Sequence, residues 1–78
     1  MWYVYILKCQ NGKSYVGCTS DLKERIKRHQ DGHVSFTRMK RPVILIFYCA
    51  FRDRYKAYFF EKYLKSGSGR AFAKRRLI

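Results

Sequence analysis

The spacing of apolar positions at the start of the chain predicts a β-hairpin. Trp2 to Lys8 (WYVYILK) is a β-branched and aromatic run that ends at Gln10-Asn11-Gly12, and Lys13 to Cys18 resumes the same pattern. Two such runs separated by a short turn containing Asn-Gly are typical of two antiparallel strands.

The length of the hairpin loop decides which side chains share a face. With a two-residue Asn-Gly turn, Tyr5 faces Cys18 and Tyr15 lies on the opposite side of the hairpin. With a three-residue loop, in which Gly12 is left-handed in a bulge, Tyr5 pairs with Gly17 and both tyrosines share one face. The residues themselves are compatible with both loops.

A first helix follows the hairpin. Thr19-Ser20-Asp21 supplies capping side chains, and the helix is expected to run to about Gln30, where Asp31-Gly32 ends it. The stretch from His33 to Arg41 is polar and basic without clear periodicity, so it is predicted to be a loop. At about 100° per residue the inward stripe of the helix consists of Leu22, Ile26 and His29, with Arg25 on its flank.

The second half of the chain predicts one further strand and two helices. Val43 to Phe51 (VILIFYCAF) is continuously apolar and is expected to be the most buried strand of the sheet. Asp53 can cap a helix that runs to about Lys65, and Ser66-Gly67-Ser68-Gly69 breaks it. A short basic helix from Arg70 to Leu77 is then expected to turn Phe72 and Leu77 inward.

Composition indicates one small domain with a polyanionic partner. The 78 residues are 47% hydrophobic and 18% aromatic, and they carry a net charge of +13. Such charge produces a positive potential over most of the surface, so nucleic acid is the favoured partner and an anionic membrane surface a distant alternative. No segment approaches the roughly 18 consecutive apolar residues of a membrane span, and no leader is evident, so the chain is expected to be cytoplasmic. Cys9, Cys18 and Cys49 are expected to be reduced, core-packed thiols.

Glu61 is the sharpest chemical signal in the sequence. It falls within the apolar face of the second helix, together with Ala57, Phe60 and Leu64, and a carboxylate there requires a cation, a hydrogen bond or a raised pKa. A structural salt bridge with Arg25 or another inward cation is one explanation. The other is a metal ligand, because the remaining four acidic residues are expected at helix ends or in solvent. Magnesium would then take its other oxygens from water and a substrate phosphate.

Other candidate residues carry both structural and chemical interpretations. Arg25 and His29, one turn apart, could clamp a phosphate and orient a proton, or could simply bond to the end of the sheet. Tyr5 and Tyr15 suit an ordinary core. An aromatic stripe on the second helix favours packing against the third helix or a second copy of the chain over stacking on nucleobases, so a homodimer is left open. This stripe consists of Tyr55, Phe59 and Tyr63.

In order and spacing, these residues resemble the GIY-YIG nuclease superfamily, in particular its small stand-alone members. The first half-motif stands as Tyr3-Val4-Tyr5 and the second as Tyr15-Val16-Gly17, with Arg25 and His29 at the expected helical spacing. Downstream, Glu61 lies in FEKYLKSGSGR. The resemblance spans nearly all of residues 1–78. The glycine and isoleucine that open the family's first half-motif are Tyr3 and Val4 here, and no counterpart of a further asparagine is evident.

The resemblance implies a fold, a reaction and a set of roles. The fold is α+β, a small three-stranded, mainly antiparallel sheet flanked by helices in the order β-β-α-β-α-α. The reaction is hydrolysis of a DNA phosphodiester with Mg²⁺ or Mn²⁺ bound by Glu61, with Tyr5 or Tyr15 as general base, Arg25 on the phosphate and His29 assisting. Both tyrosines must then face the same way, which favours the three-residue hairpin loop.

Substrate contacts are expected from a glycine and from polar or basic residues that can hold phosphates without reading bases. Two hypotheses for the function follow from the resemblance and the charge. The main one is a metal-dependent endonuclease that acts in DNA repair, recombination or processing. Its substrate would be the DNA backbone or a branched or single-stranded structure, with RNA as an alternative. The second hypothesis is a catalytically weak or inactive basic module that binds nucleic acid on the same fold. The expected contact residues are Gly17, Lys27, Arg28, Ser35, Thr37, Arg38, Lys40, Arg41 and Arg70.

Overall fold

The hairpin has the three-residue loop. The computed structural model describes all residues 1–78, and strands β1 (Trp2–Lys8) and β2 (Ser14–Thr19) pair antiparallel with Tyr5 opposite Gly17 and Leu7 opposite Tyr15. Gly12 adopts φ +82°, a left-handed conformation that glycine reaches without strain. Tyr5 and Tyr15 consequently lie on the same face of the sheet, and the two-residue turn is excluded.

The central strand of the sheet is β1. Strand β3 (Ile44–Phe51) pairs antiparallel with its other side, which gives the order β2-β1-β3. The expectation that Val43 to Phe51 is the most buried strand is wrong, since β3 is an edge strand whose Ile44 is 62% exposed. Continuous apolar composition indicates a strand, but only pairing on both sides encloses it, and β1 has that position.

The first helix forms as predicted, and a second, very short one follows it. Helix α1 (Leu22–Gln30) begins after Asp21, whose carboxylate accepts the Glu24 N–H, and ends before Gly32 at φ +81°. Helix α2 (Ser35–Arg38) lies within the stretch predicted as a loop. A single helical turn is too short to produce a recognisable period of apolar residues, so the sequence pattern did not reveal it.

The last two helices meet at a single residue. Helix α3 (Arg54–Lys65) is capped by Asp53, and Ser66 both ends α3 and accepts the Gly69 N–H to begin α4 (Gly67–Arg76). The break is thus shorter than predicted, and the serine-glycine stretch is mostly the first turn of α4. A Cβ at Gly69 would collide with the carbonyl of Tyr63, so this corner requires glycine.

The helices cover both faces of the sheet. Val4 and Ile6 of β1 pack with Ala57, Leu64 and Ala73 of α3 and α4. On the other face, Tyr5 and Leu7 form a second cluster against the inner side of α1. In α4 the buried position belongs to Ala73, whereas Phe72, predicted to point inward, is exposed; Leu77 packs inward as expected.

The three cysteines are free thiols, with Cys9 buried and the other two half-buried. None of the helices combines the length and apolar character needed to cross a membrane.

Candidate active site

A chain of buried hydrogen bonds links β1, α1 and α2. The Tyr5 hydroxyl lies 2.9 Å from Nε2 of His29, and Nδ1 of His29 lies 2.7 Å from Oγ1 of Thr37. All three side chains are fully buried. Because a buried polar group without a partner costs stability, the two hydrogen bonds account for how a histidine can occupy this face of the sheet.

Burial determines the protonation states in this chain. The pKa of Tyr5 is raised to about 12, chiefly by burial and then by the nearby Tyr15, while Arg25 acts in the opposite direction. Burial, followed by the charge of Arg25, lowers the pKa of His29. At neutral pH Tyr5 is therefore a phenol and His29 a neutral imidazole. The cations of the chain do not make Tyr5 a better base, because desolvation outweighs their effect on its pKa.

Tyr15 is the tyrosine that reaches the surface. Its half-buried ring lies 4.9 Å from the His29 ring and 5.3 Å from the Phe36 ring, measured between centroids. Its side chain also lines an open groove with Lys65 and Arg70. A phosphate in this groove would meet two cations and one phenol.

Gly17 makes room for the buried tyrosine. A Cβ at this position would collide with the ring and hydroxyl of Tyr5 on the paired strand. Gly17 is itself buried, so it is not the surface contact for substrate that the sequence predicted. Its role is to let the Tyr5 ring lie across β2.

Arg25 and Glu61 belong to helices, α1 and α3, that cover opposite faces of the sheet. Burial raises the pKa of Cys18 on β2, the charge of Glu61 on α3 raises it further, and the charge of Arg25 on α1 lowers it. Glu61 also acts on the pKa of Tyr5. The charges of Glu61 and Arg25 thus both act on the Cys18 thiol of β2.

Glu61 has an ion-pair partner on its own helix. Its Oε2 lies 2.9 Å from Nζ of Lys65, with the carboxylate side chain 15% exposed and the lysine 52% exposed. The predicted alternative was a salt bridge with Arg25 or another inward cation; a salt bridge does form, but its partner is the exposed Lys65 and not Arg25. The second carboxylate oxygen has no hydrogen-bond partner in the chain.

The donors at this position fit a hard divalent cation held largely by water and substrate. No group of three or more His, Cys, Asp or Glu side chains comes together in the chain. Glu61 would therefore be the single protein ligand, which suits magnesium because this ion commonly keeps several waters and binds substrate phosphate. Lys65 would have to share or release the carboxylate for a metal to bind.

Comparison with known proteins shows the family of the chain. A sequence model of the GIY-YIG catalytic domain matches residues 1–76. The chain belongs to the GIY-YIG family. It is 41% identical over 66 residues to the UPF0213 protein CPE1444 of Clostridium perfringens, covering 83% of this chain and 71% of that protein. It is 39% identical over 64 residues to the UPF0213 protein YazA of Bacillus subtilis, covering 81% of this chain and 65% of that relative.

A solved GIY-YIG relative has the same overall fold. The solution NMR structure of the UPF0213 protein BH0048 from Bacillus halodurans superposes with a TM-score of 0.60 at 37% identity, covering 95% of this chain and 81% of that chain. The three-stranded antiparallel sheet with flanking helices is thus the GIY-YIG fold. The GIY-YIG domain in turn places the chain in a nuclease superfamily.

In this GIY-YIG chain the two half-motifs pair across the hairpin. Tyr5 from the first half-motif lies over Gly17 of the second, and Tyr15 stands beside it with ring centroids 6.3 Å apart. Tyr3 and Val4, which replace the family's opening glycine and isoleucine, fit regular strand geometry, with Val4 fully buried in the apolar core.

Some of the predicted substrate-contact residues already bond within the chain, and others have free side chains. Lys27 pairs with Asp31 at 2.9 Å, and Arg41 donates to two backbone carbonyls at the end of α1 and in α2. Lys40 lies 3.9 Å above the Phe36 ring, close to Tyr15. Thr37 is buried behind His29, so its predicted contact with substrate is wrong. The exposed members that make no side-chain hydrogen bond or ion pair are Arg28, Ser35, Arg38 and Arg70.

Two residues of this region were missed as members of the site. Lys65 is the partner of Glu61 and also lines the Tyr15 groove, and its i, i+4 spacing from Glu61 is a signal that could have identified it. Phe36, which covers the Tyr15 ring, belongs to the short helix that the pattern did not reveal.

Proposed function

We propose that this GIY-YIG chain is a divalent-metal-dependent endonuclease that hydrolyses DNA phosphodiester bonds. The observation that carries the proposal is the meeting of Tyr15, the Tyr5–His29 pair, Arg25 and Glu61 around strand β2 of a strongly basic domain. Recognition would be directed at backbone or branched structure, because the free cations suit phosphates rather than base edges. The role would lie in DNA repair, recombination or processing.

In the proposed reaction, Tyr15 rather than Tyr5 contacts the attacking water. Tyr15 lines the open groove, whereas Tyr5 has no exposed surface and a pKa of about 12. The phenolate form of Tyr15 would accept a proton from water as the water oxygen bonds to phosphorus and the bond to the leaving oxygen breaks. Tyr5 and His29 would hold the Tyr15 ring from beneath.

The charged residues would act on the phosphate from two sides. Arg25 takes part in neither of the two ion pairs of the chain, so its guanidinium is available to offset phosphate charge. Glu61 would hold the divalent cation, Mg²⁺ or Mn²⁺, which when bound supplies Lewis-acid stabilisation of the leaving oxygen. Lys65, released from Glu61, could pair with the same phosphate.

The proposal is tested by removing one charge without changing shape. Glu61→Gln should abolish cleavage of a panel of duplex, single-stranded, flap and branched DNAs in Mg²⁺ or Mn²⁺, because the amide is a poor ligand for a hard cation. Binding to the same DNAs, measured by fluorescence anisotropy, should persist. Wild-type cleavage should stop in EDTA.

A matched control is available on α1. Glu24→Gln makes the same charge change at an exposed carboxylate, and it should cut as the wild type does. Metal-dependent cleavage by Glu61→Gln at the wild-type rate would contradict the assigned role.

A second candidate function is a basic module that binds nucleic acid without effective cleavage. It is favoured by the Glu61–Lys65 ion pair, which occupies one oxygen of the single metal ligand. The same panel separates the two functions, because this module would bind DNA or RNA and cut none of it at any metal concentration. For either function we propose a cytoplasmic location, since free thiols suit a reducing compartment.

A further inference from the structure

We propose that Thr37 is a positioning residue that selects the tautomer of His29. In this tautomer Nδ1 carries the hydrogen and Nε2 accepts the hydroxyl hydrogen of Tyr5. The proposal rests on the proposed nuclease function, which it deepens by adding a residue that acts on the site without touching substrate. Thr37 comes from the short helix α2, whereas Tyr5 and His29 come from β1 and α1.

The direction of the hydrogen bonds follows from the needs of Tyr5. Its buried hydroxyl has Nε2 of His29 as its only acceptor, and no buried side-chain oxygen or nitrogen of the chain lacks a partner. The nearby charged group, Arg25, has only donors. If Nε2 carried the hydrogen, the Tyr5 hydroxyl would be left without an acceptor, which is costly in a buried site. Nε2 is therefore unprotonated.

A neutral imidazole with a bare Nε2 must carry its hydrogen on Nδ1. That hydrogen points at Oγ1 of Thr37, 2.7 Å away. The Thr37 hydroxyl in turn faces the carbonyl oxygen of Val34 at 3.4 Å, and a carbonyl can only accept. Thr37 consequently donates to Val34 and accepts from His29, so every donor between Tyr5 and Val34 has an acceptor.

Valine at position 37 would retain the shape of threonine and lose this acceptor. The hydrogen on Nδ1 would then face a methyl group, and the tautomer with hydrogen on Nε2 would gain population. In that tautomer two donors, the imidazole N–H and the Tyr5 hydroxyl, compete for one contact, so the Tyr5 and Tyr15 rings lose the arrangement that the reaction uses.

The test combines nitrogen NMR of His29 with DNA cleavage. Long-range ¹H–¹⁵N spectra at neutral pH should show the Nδ1–H tautomer in the wild type and in Thr37→Ser, which keeps the hydroxyl. Thr37→Val should shift His29 towards Nε2–H, lower kcat about 10-fold or more and leave DNA affinity unchanged. Ser68→Ala, which removes an exposed hydroxyl from α4 at a position outside the site, should change neither readout.

The outcomes separate this inference from the proposed nuclease function. An Nε2–H tautomer in the wild type overturns the role of Thr37 whether or not any variant folds. An unchanged tautomer and unchanged kcat in Thr37→Val overturn it as well. If the wild type cuts no DNA, the nuclease proposal fails, while the NMR comparison still decides whether Thr37 selects the tautomer.

Discussion

The two faces of β1 differ in what they bury. Val4 and Ile6 face α3 and α4 within a cluster of apolar side chains, whereas Tyr5 on the other face meets an imidazole that is bonded to a threonine. Neighbouring residues of one strand thus enter an apolar core and a buried polar site. Burial has a different energetic basis on each face: removal of apolar area from water on one, and complete hydrogen bonding on the other.

This contrast predicts where stability and activity reside. On the apolar face, lost methyl groups leave a cavity and lower the free energy of unfolding. On the polar face, the total volume matters less than whether each donor has an acceptor. Substitutions can test each half of the comparison separately.

The largest effect on stability is expected on the apolar face. Leu64→Ala, at a fully buried position of α3, should lower the free energy of unfolding by about 2–5 kcal/mol, through lost burial and a residual cavity. Urea denaturation followed by circular dichroism measures it. Phe59→Ala on the same helix is the control, since Phe59 is 63% exposed; an equal loss from both variants would refute the assignment of the core.

An intermediate effect is expected where β2 meets the polar face. Gly17→Ala should lower the free energy of unfolding by about 1–3 kcal/mol, because its Cβ overlaps the Tyr5 ring. It should also reduce cleavage by displacing Tyr5 from His29. Gly67→Ala is the matched control, because a Cβ there meets nothing within 4 Å. A harmless Gly17→Ala would show that β2 and Tyr5 are not in close contact.

The smallest effect is a pH dependence that only the polar face should have. The pKa of His29 is lower in the folded protein than its ordinary value of about 6.5, so below that pH the unfolded chain binds more protons. The free energy of unfolding should therefore fall between pH 7 and pH 5, by less than about 1.4 kcal/mol per pH unit.

Urea titrations at several pH values check this dependence. His29→Gln should remove most of the slope, whereas His33→Gln, at an exposed position, should keep it. A slope that survives in His29→Gln would assign the dependence to another group.

Local signals in the sequence predicted most of the elements. Asp21 and Asp53 cap α1 and α3 as expected, and Gly32 ends the first helix in a left-handed conformation. These features depend on a few neighbouring residues, so a short stretch of sequence contains the information. The family resemblance added the loop length, because a shared site required both tyrosines on one face.

Long-range packing accounts for the features of the structure that the sequence pattern did not predict. The apolar run of β3 does not indicate an edge position, and helix α2 leaves no periodic signal. Thr37 and Gly17 are polar or small residues in a plausible surface context, yet both are buried by contacts with residues distant in the chain. Composition suggested that Thr37 and Gly17 contact substrate, and their burial shows that this expectation is wrong.

By itself, the sequence determined the hairpin, the capped helices and the order of the candidate residues, since turn chemistry, capping and hydrophobic period act over a few residues. Only the tertiary structure decided that β1 is central, that Tyr5 is a buried phenol bonded to His29, and that Thr37 lies behind His29. The physical reason is that burial and desolvation depend on all the elements packed around a group, and these come together only in the folded chain.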